Sequence, residues 1–273
     1  MECSRQPSSR LTPSLRRHLS PCIGREEVRI QENSAPLSPS ASALGEGLGV
    51  RRISCYSHRM HHGLRIAEHL LTIGAVKLSP SQPFTWTSGI KSPIYCDNRM
   101  IYSHPEARDF VVATLSNTVK NLHIPADVIA GTATAAIGWA ALVADRLKLP
   151  FVYVRSQAKE HGAKKRIEGD LKKDLHVVVI EDLISTAQSS VSTVDALRDE
   201  GKCIVTDVVS IFSYELPIAR EKSSECKVRL HPLTTLSTLL DVALLQDRIT
   251  KEQVESILEF AKDTENWAKR MGK

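Results

Sequence analysis

Long apolar runs are missing from this 273-residue chain. No stretch approaches the roughly 18 consecutive apolar residues that a membrane-crossing helix requires, so a membrane protein is not expected. Paired cysteines are missing too. The six cysteines (Cys3, Cys22, Cys55, Cys96, Cys203 and Cys226) form no C-x-x-C unit, which argues against a zinc site or a disulfide framework and points to a reducing compartment. No G-x-x-x-x-G-K-[ST] run occurs, which sets aside an ordinary P-loop nucleotidase, and no internal repeat is visible. Excess charge is absent from the part that folds. The formal net charge is +5, but residues 1–60 hold nine arginines, no lysine and five glutamates, leaving 27 basic and 26 acidic residues beyond them. A nearly neutral globular part carries no nucleic-acid footprint.

What is present is the composition of an ordinary globular protein, 42% hydrophobic and 25% charged, long enough to bury a substantial core without disulfides. Residues 1–59 differ in kind from the rest: Ser, Pro and Arg are abundant and no apolar periodicity is sustained. A disordered extension fits that composition. An organelle transit peptide fits it as well, because MECSRQPSSRLTPSLRRHLSPC has four Arg, five Ser and one acidic residue, although Glu26, Glu27 and Glu32 run against it further along. A cytoplasmic location follows from the first reading and an organelle from the second. Residues 60–273 are expected to form the folded domain.

Order is expected from about Met60. Leu64, Ala67, Leu70, Leu71 and Ile73 recur at helical spacing, and Gly74 stands where a helix would stop. A second helix is predicted from Pro105 to about Leu122, with Phe110, Val111, Thr114, Leu115 and Val119 on one face. From there strands and helices alternate. DVIAG from Asp127, FVYVR from Phe151, HVVVIED from His176 and CIVTDVVSIF from Cys203 read as strands. Ile137–Leu147 and Ser189–Glu200, the latter closed by Gly201, read as helices, and Ile249–Trp267 as a final amphipathic one. Near-continuous Val/Ile runs suit strands buried on both faces, and the alternation implies an α/β fold with a doubly wound parallel sheet. Trp86, Trp139 and Trp267 are read as packing residues.

In such a sheet ligands bind beyond the carboxyl ends of the strands, and three notable segments follow predicted strands. In VVVIEDLISTAQSS (177–190) an apolar strand runs into Glu181 and Asp182, then Leu183 and Ile184, then the small polar turn Ser185, Thr186, Ala187, Gln188 and Ser189. Two carboxylates can accept hydrogen bonds from vicinal sugar hydroxyls, and the turn can aim N–H groups and hydroxyls at a phosphate with help from the helix dipole. A ribose 5-phosphate needs both. An exposed strand end with Ser189 as an ordinary N-cap would account for the same residues. YVRSQAKEHGAKKRIEG (153–169) places Arg155, Lys159, His161, Lys164, Lys165 and Arg166 in a polar loop, which also reads as a plain solvated charge run. FTWTSGIKSPIYCDNR (84–99) reads as a hairpin.

Together these segments resemble the orotate phosphoribosyltransferases, in the type I phosphoribosyltransferase family. Residues 177–190 resemble the family's signature for phosphoribosyl pyrophosphate (PRPP), and E-D-L-I-S-T is the version associated with the orotate enzymes. Arg155, Lys159, His161, Gly162 and Ile167–Glu168–Gly169 match the order R-x-x-x-K-x-H-G…I-E-G of a loop that closes over PRPP. Residues 84–99 resemble the base-binding segment, which separates orotate from purine-base enzymes. AGTATAAIGWAA from Ala130 resembles the pyrophosphate-binding turn. The likeness runs from about Met60 to Trp267, with its motifs in the expected order. The chain departs from the family pattern at Ala187 and Gln188, where small residues with glycine among them are usual, at Ala136 in place of a glycine, at Thr87 where many relatives carry lysine, and at Ser156 and Gln157, where some carry a further lysine.

The resemblance implies a small N-terminal hood on the sheet and transfer of ribose 5-phosphate from PRPP to orotate, giving orotidine 5′-monophosphate and pyrophosphate. It implies Arg155, Lys159 and His161 as the catalytic cations and residues 181–189 as the PRPP site, with Ser185 also reaching orotate. Mg²⁺ would arrive bound to PRPP, with no metal site of the protein's own, and a homodimer would complete each site. The departures favour an alternative, a PRPP-binding relative without catalysis.

Overall fold

The computed structural model describes residues 50–85, 89, 91–157 and 165–271, with the backbone alone at 50–60, 265, 268 and 271. Most of the expected extension, residues 1–49, lies outside the described residues. Helix α1 (Val50–Thr72) begins ahead of the expected Met60. The stretch between Gly49 and Gly63 contains neither glycine nor proline, so nothing in it breaks a helix. Ala67, Leu70 and Leu71 are buried as expected, but Ile66 takes the core position while Leu64 stays 37% exposed. Gly74 ends the helix at φ 73°, a left-handed conformation that suits glycine.

Two short antiparallel pairs form the hood. Strand β1 (Val76–Leu78) precedes β2 (Phe84–Thr85), β3 (Lys91–Ser92) and β4 (Ile94–Cys96); β1 pairs with β4, and β2 with β3. The expected hairpin is therefore present, with Phe84 opposite Ser92, while Trp86 and Thr87 lie outside the described residues. Helix α2 (Pro105–Lys120) starts on a proline, which costs nothing where the first N–H has no helical partner.

The main sheet holds β5 (Val128–Thr132), β6 (Phe151–Val154), β7 (Ile167–Glu168), β8 (Val177–Ile184), β9 (Asp207–Ser213) and β10 (Arg229–Thr235), in the order β10-β9-β8-β5-β6-β7. Five strands are parallel, and only β7, at the edge, runs antiparallel. Helices α3 (Ile137–Leu147), α4 (Gln188–Asp199) and α5 (Pro217–Glu225) connect them. Successive side chains go to opposite faces. Val178, Ile180, Val209 and Ile211 join the core around Trp139 and Leu115; Val177, Val179 and Val208 join the one around Val194 and Leu197. Both faces are covered, which is why these strands read as unbroken apolar runs.

The elements around the β10 edge had no clear mark in the sequence. Strand β10 is half-buried and contains Pro232, which a sheet tolerates at an edge, where one side of the strand makes no ladder bonds. Helix α5 precedes it and α6 (Leu236–Leu245) follows. The expected single C-terminal helix is two, α7 (Lys251–Lys262) and α8 (Thr264–Met271). Asp263 breaks it at φ −150°, ψ 84°, and its carboxylate accepts from the Asn266 N–H at 3.2 Å, capping α8. Trp267 then packs edge-on against Phe260 at 5.3 Å. The connection from β5 leads to β6 on one side, whereas β8 lies on β5's other side and leads outward to β9 and β10. The order reverses between β5 and β8, and a crevice opens there.

Candidate active site

A turn leaves the carboxyl end of each of these two strands. Strand β8 continues past the predicted end at Asp182 to Ile184. Glu181 lies within it, 4% exposed and opposite Ser210 of β9. Its Oε2 accepts from the Ser189 hydroxyl at 3.3 Å and the Ser190 hydroxyl at 3.1 Å. Burial, and after it the charge of Asp182, push the Glu181 carboxyl well above the usual carboxylate range. Burial raises half-buried Asp182 as well, so the two titrate as a pair. Leu183 and Ile184 pack into opposite cores, so toward the crevice they offer backbone only. The Asp182 carbonyl accepts from the Asn98 amide at 2.6 Å, tying the segment after the hood to this strand.

The plainer reading of this segment fails on two counts. Glu181 is not an exposed strand end, and Ser189 is not an N-cap. Ala187 occupies the N-cap, buried, at φ 60°, ψ 10°, with no side-chain oxygen to offer. Among the described residues no oxygen accepts from the N–H groups of Gln188, Ser189 or Ser190. Unsatisfied donors at the positive end of a 12-residue helix make an anion cradle.

The second turn joins β5 to α3. A Cβ at Gly131 would lie 2.9 Å from the Ala140 Cβ and 3.1 Å from the Ala136 carbonyl oxygen, so the strand end needs glycine. Ala136, by contrast, sits at φ −89°, ψ −4°, fully buried. The two departures from the glycine pattern are therefore unequal: Ala187 occupies a left-handed position and Ala136 an ordinary one. Tyr102 supports this turn. Its hydroxyl donates to the Ala135 carbonyl at 2.9 Å and its ring stacks on buried Trp139 at 4.4 Å.

Between the turns lies a cavity of about 450 Å³. Of the residues singled out in the sequence, Ser185, Thr186, Gln188 and Ser189 line it. Arg155 follows β6 but stands outside the lining, its guanidinium 3.5 Å from Glu168 of β7. Lys159 and His161 lie outside the described residues. Thr132 and Ala133 form the opposite wall, with Val154, Ser156, Arg166, Ser192 and Thr193 completing it. Sequence reasoning marked Thr132 and Ala133 only as part of a turn and Ser156 only as the place of a missing lysine, and gave the others no individual role. Ser192 and Thr193 follow Ser189 by three and four positions on a predicted helix, the spacing that returns to the same face, and that signal was available. Nothing local marked Arg166 apart from its neighbours in the charge run.

Residues 97–236 match the phosphoribosyl transferase domain family. The chain is 48% identical over 205 residues to an orotate phosphoribosyltransferase of Listeria monocytogenes, covering 75% of this chain and 98% of that one. It is 48% identical over 203 residues to an orotate phosphoribosyltransferase of Bacillus cereus, covering 74% and 96%. Among solved structures, orotate phosphoribosyltransferase from Aeropyrum pernix superposes with a TM-score of 0.57 at 29% identity, over 64% of this chain and 96% of that one. Leishmania donovani UMP synthase gives 0.62 at 26% identity over 73% of this chain, which spans only 42% of that protein.

Proposed function

This chain belongs to the phosphoribosyl transferase family, among the orotate phosphoribosyltransferases, and from that premise we infer how its crevice works. The protein transfers the ribose 5-phosphate of PRPP to orotate, giving orotidine 5′-monophosphate and pyrophosphate in pyrimidine biosynthesis. One observation supports the assignment of parts above all others: an open helix start meets an acidic pair, buried Glu181 and half-buried Asp182, at the strand reversal. The N–H groups at the start of α4, with Ser185 and Thr186, take the 5-phosphate. Glu181 and Asp182 take the ribose hydroxyls. The Thr132–Ala136 turn takes the pyrophosphate, and Ser185 also reaches the orotate ring.

As the bond from C1 to pyrophosphate weakens, positive charge grows on the ribose and negative charge on the leaving group. Arg155, Lys159 and His161 serve the leaving group, acting where charge develops and water is excluded. For Arg155 this means exchanging its contact with Glu168 for the pyrophosphate. Among the described residues no group of three or more His, Cys, Asp or Glu side chains is placed to hold a metal. On this reading Mg²⁺ would arrive carried by PRPP and would offset part of its phosphate charge. A homodimer is the working assembly on this reading. No described helix is long and apolar enough to cross a membrane, and a cytoplasmic location is proposed.

Pyrophosphate release by the purified protein with PRPP, Mg²⁺ and orotate tests the whole reading; adenine, guanine and hypoxanthine should give none. Turnover of a purine and none of orotate would refute the choice of base. Lys159→Ala should lower kcat by about 10²-fold with the fold unchanged, and unchanged kinetics would return Lys159 to a plain solvated charge run.

A further inference from the structure

We propose that Arg166 is a substrate-binding residue, a fixed cation that holds a phosphate group of PRPP in the crevice; this rests on the reaction assigned above. Every other described residue lining the cavity is a neutral hydroxyl, amide or apolar side chain, so Arg166 supplies its one full charge among them. The guanidinium is held in place rather than free. Its Nε donates to the Arg155 carbonyl at 2.9 Å, one terminal nitrogen to the Ser192 carbonyl at 3.1 Å, and the other to the Ser192 hydroxyl at 2.9 Å.

All three partners are uncharged oxygens, and among the described residues no carboxylate pairs with this guanidinium. Glu200 accepts from the Arg166 backbone N–H at 3.0 Å. Three of the five guanidinium N–H groups are thus used for positioning, and two remain. An arginine locked by neutral acceptors keeps its charge available to an anion, and its fork suits phosphate oxygens. Its anchor is one helical turn from Ser189, and Arg166 lines the same cavity as Gln188 and Ser189 at the start of α4. Phosphate on that helix start would meet backbone donors on one side and the guanidinium on the other. The alternative is a strut that joins the β7 edge to α4 without touching ligand.

Arg166→Gln removes the charge and keeps the stem. The expected result is a rise in KM for PRPP of tenfold or more, with KM for orotate unchanged and kcat within about threefold. Arg166→Lys should recover part of the loss. Equilibrium titration with inorganic phosphate, ribose 5-phosphate and pyrophosphate distinguishes the two ends of the substrate: weakening of ribose 5-phosphate assigns Arg166 to the 5-phosphate, and of pyrophosphate alone to the leaving group. These titrations need no turnover, so they stand even if the orotate reaction fails. Should Arg166→Gln not fold, Arg166→Lys titrated with the same three anions decides, since a lost fork must still weaken one of them. Unchanged anion affinities with a lowered melting temperature would overturn the proposal and leave the strut.

Discussion

The two ends of the central sheet each bury a carboxylate, and they treat it in opposite ways. At the amino ends of the strands Asp207 is wholly buried. It accepts from Arg229 at 2.9 and 2.8 Å, from the Thr206 hydroxyl at 2.7 Å, and meets His231 Nε2 at 2.6 Å. Burial alone would raise its pKa, but hydrogen bonds from Arg229, Thr206 and His231 outweigh that and hold it below the usual value. At the carboxyl ends Glu181 is also buried, the Ser189 and Ser190 hydroxyls donate to it but no cation does among the described residues, and it is pushed up. A satisfied charge fastens strands together. An under-satisfied one costs stability and waits for donors that the fold does not supply, which is what a ligand with vicinal hydroxyls brings.

The contrast is open to test by substitution. Asp207→Asn should cost about 2–3 kcal/mol in chemical denaturation, somewhat below the usual loss for breaking a buried pair because half-exposed Arg229 can rehydrate. KM for PRPP should not move. Unchanged stability would mean that the two ends are not different in kind. Glu181→Gln should do the reverse. Stability at neutral pH should rise, since the neutral amide keeps an oxygen acceptor for the serines and escapes the cost of burying the carboxyl. PRPP affinity should fall about tenfold, as a charge-assisted hydrogen bond to the ribose becomes a neutral one.

The pH responses should also differ in sign. Asp207 has a depressed folded pKa, so its contribution is complete above about 3.9, the unfolded value, and disappears as pH falls through the lower folded value. Glu181 has a raised one. The folded chain keeps a proton that the unfolded chain releases above about 4.3, so stability is lost as pH climbs from there to the folded value and then levels. Ribose hydroxyls favour the ionised carboxylate, so PRPP binding should release protons and tighten with rising pH over the same interval. Titration calorimetry in buffers of different ionisation enthalpy reads this directly, and proton uptake on binding would contradict it.

The smallest expected effects concern the two alanines. A Cβ at the left-handed Ala187 costs about 1–2 kcal/mol, and a more flexible unfolded chain returns about 0.4–1 of that on substitution by glycine. Ala187→Gly should therefore stabilise by up to about 1.5 kcal/mol and tighten PRPP modestly. Ala136→Gly should destabilise by about 1 kcal/mol, because a right-handed, buried alanine gains nothing from glycine's freedom. Thermal melts of the two variants that move in the same direction would show that the turns are alike after all.

Part of this was legible from residue order alone. The two-sided Val/Ile runs made β5, β6, β8 and β9 readable, because a strand covered on both faces is apolar whatever surrounds it. The 181–189 turn was readable because its chemistry is contiguous. Strand β10 was not, since an edge position lets Pro232 and polar residues into a strand and erases the pattern. The break at Asp263 was hidden because a capping aspartate inside a helical period looks like one more polar residue until its φ is known.

The sequence by itself determined the alternation of elements, the family and the segment that carries the acidic pair, all of which follow from neighbours within one or two turns of chain. Only the tertiary structure decided which of the two alanines strains its turn, which carboxylate is satisfied, and that Arg166 shares a cavity with Ser189 and Thr132. Those depend on backbone dihedral angles and on partners from separate strands, and such contacts exist only once β5, β6 and β8 lie side by side.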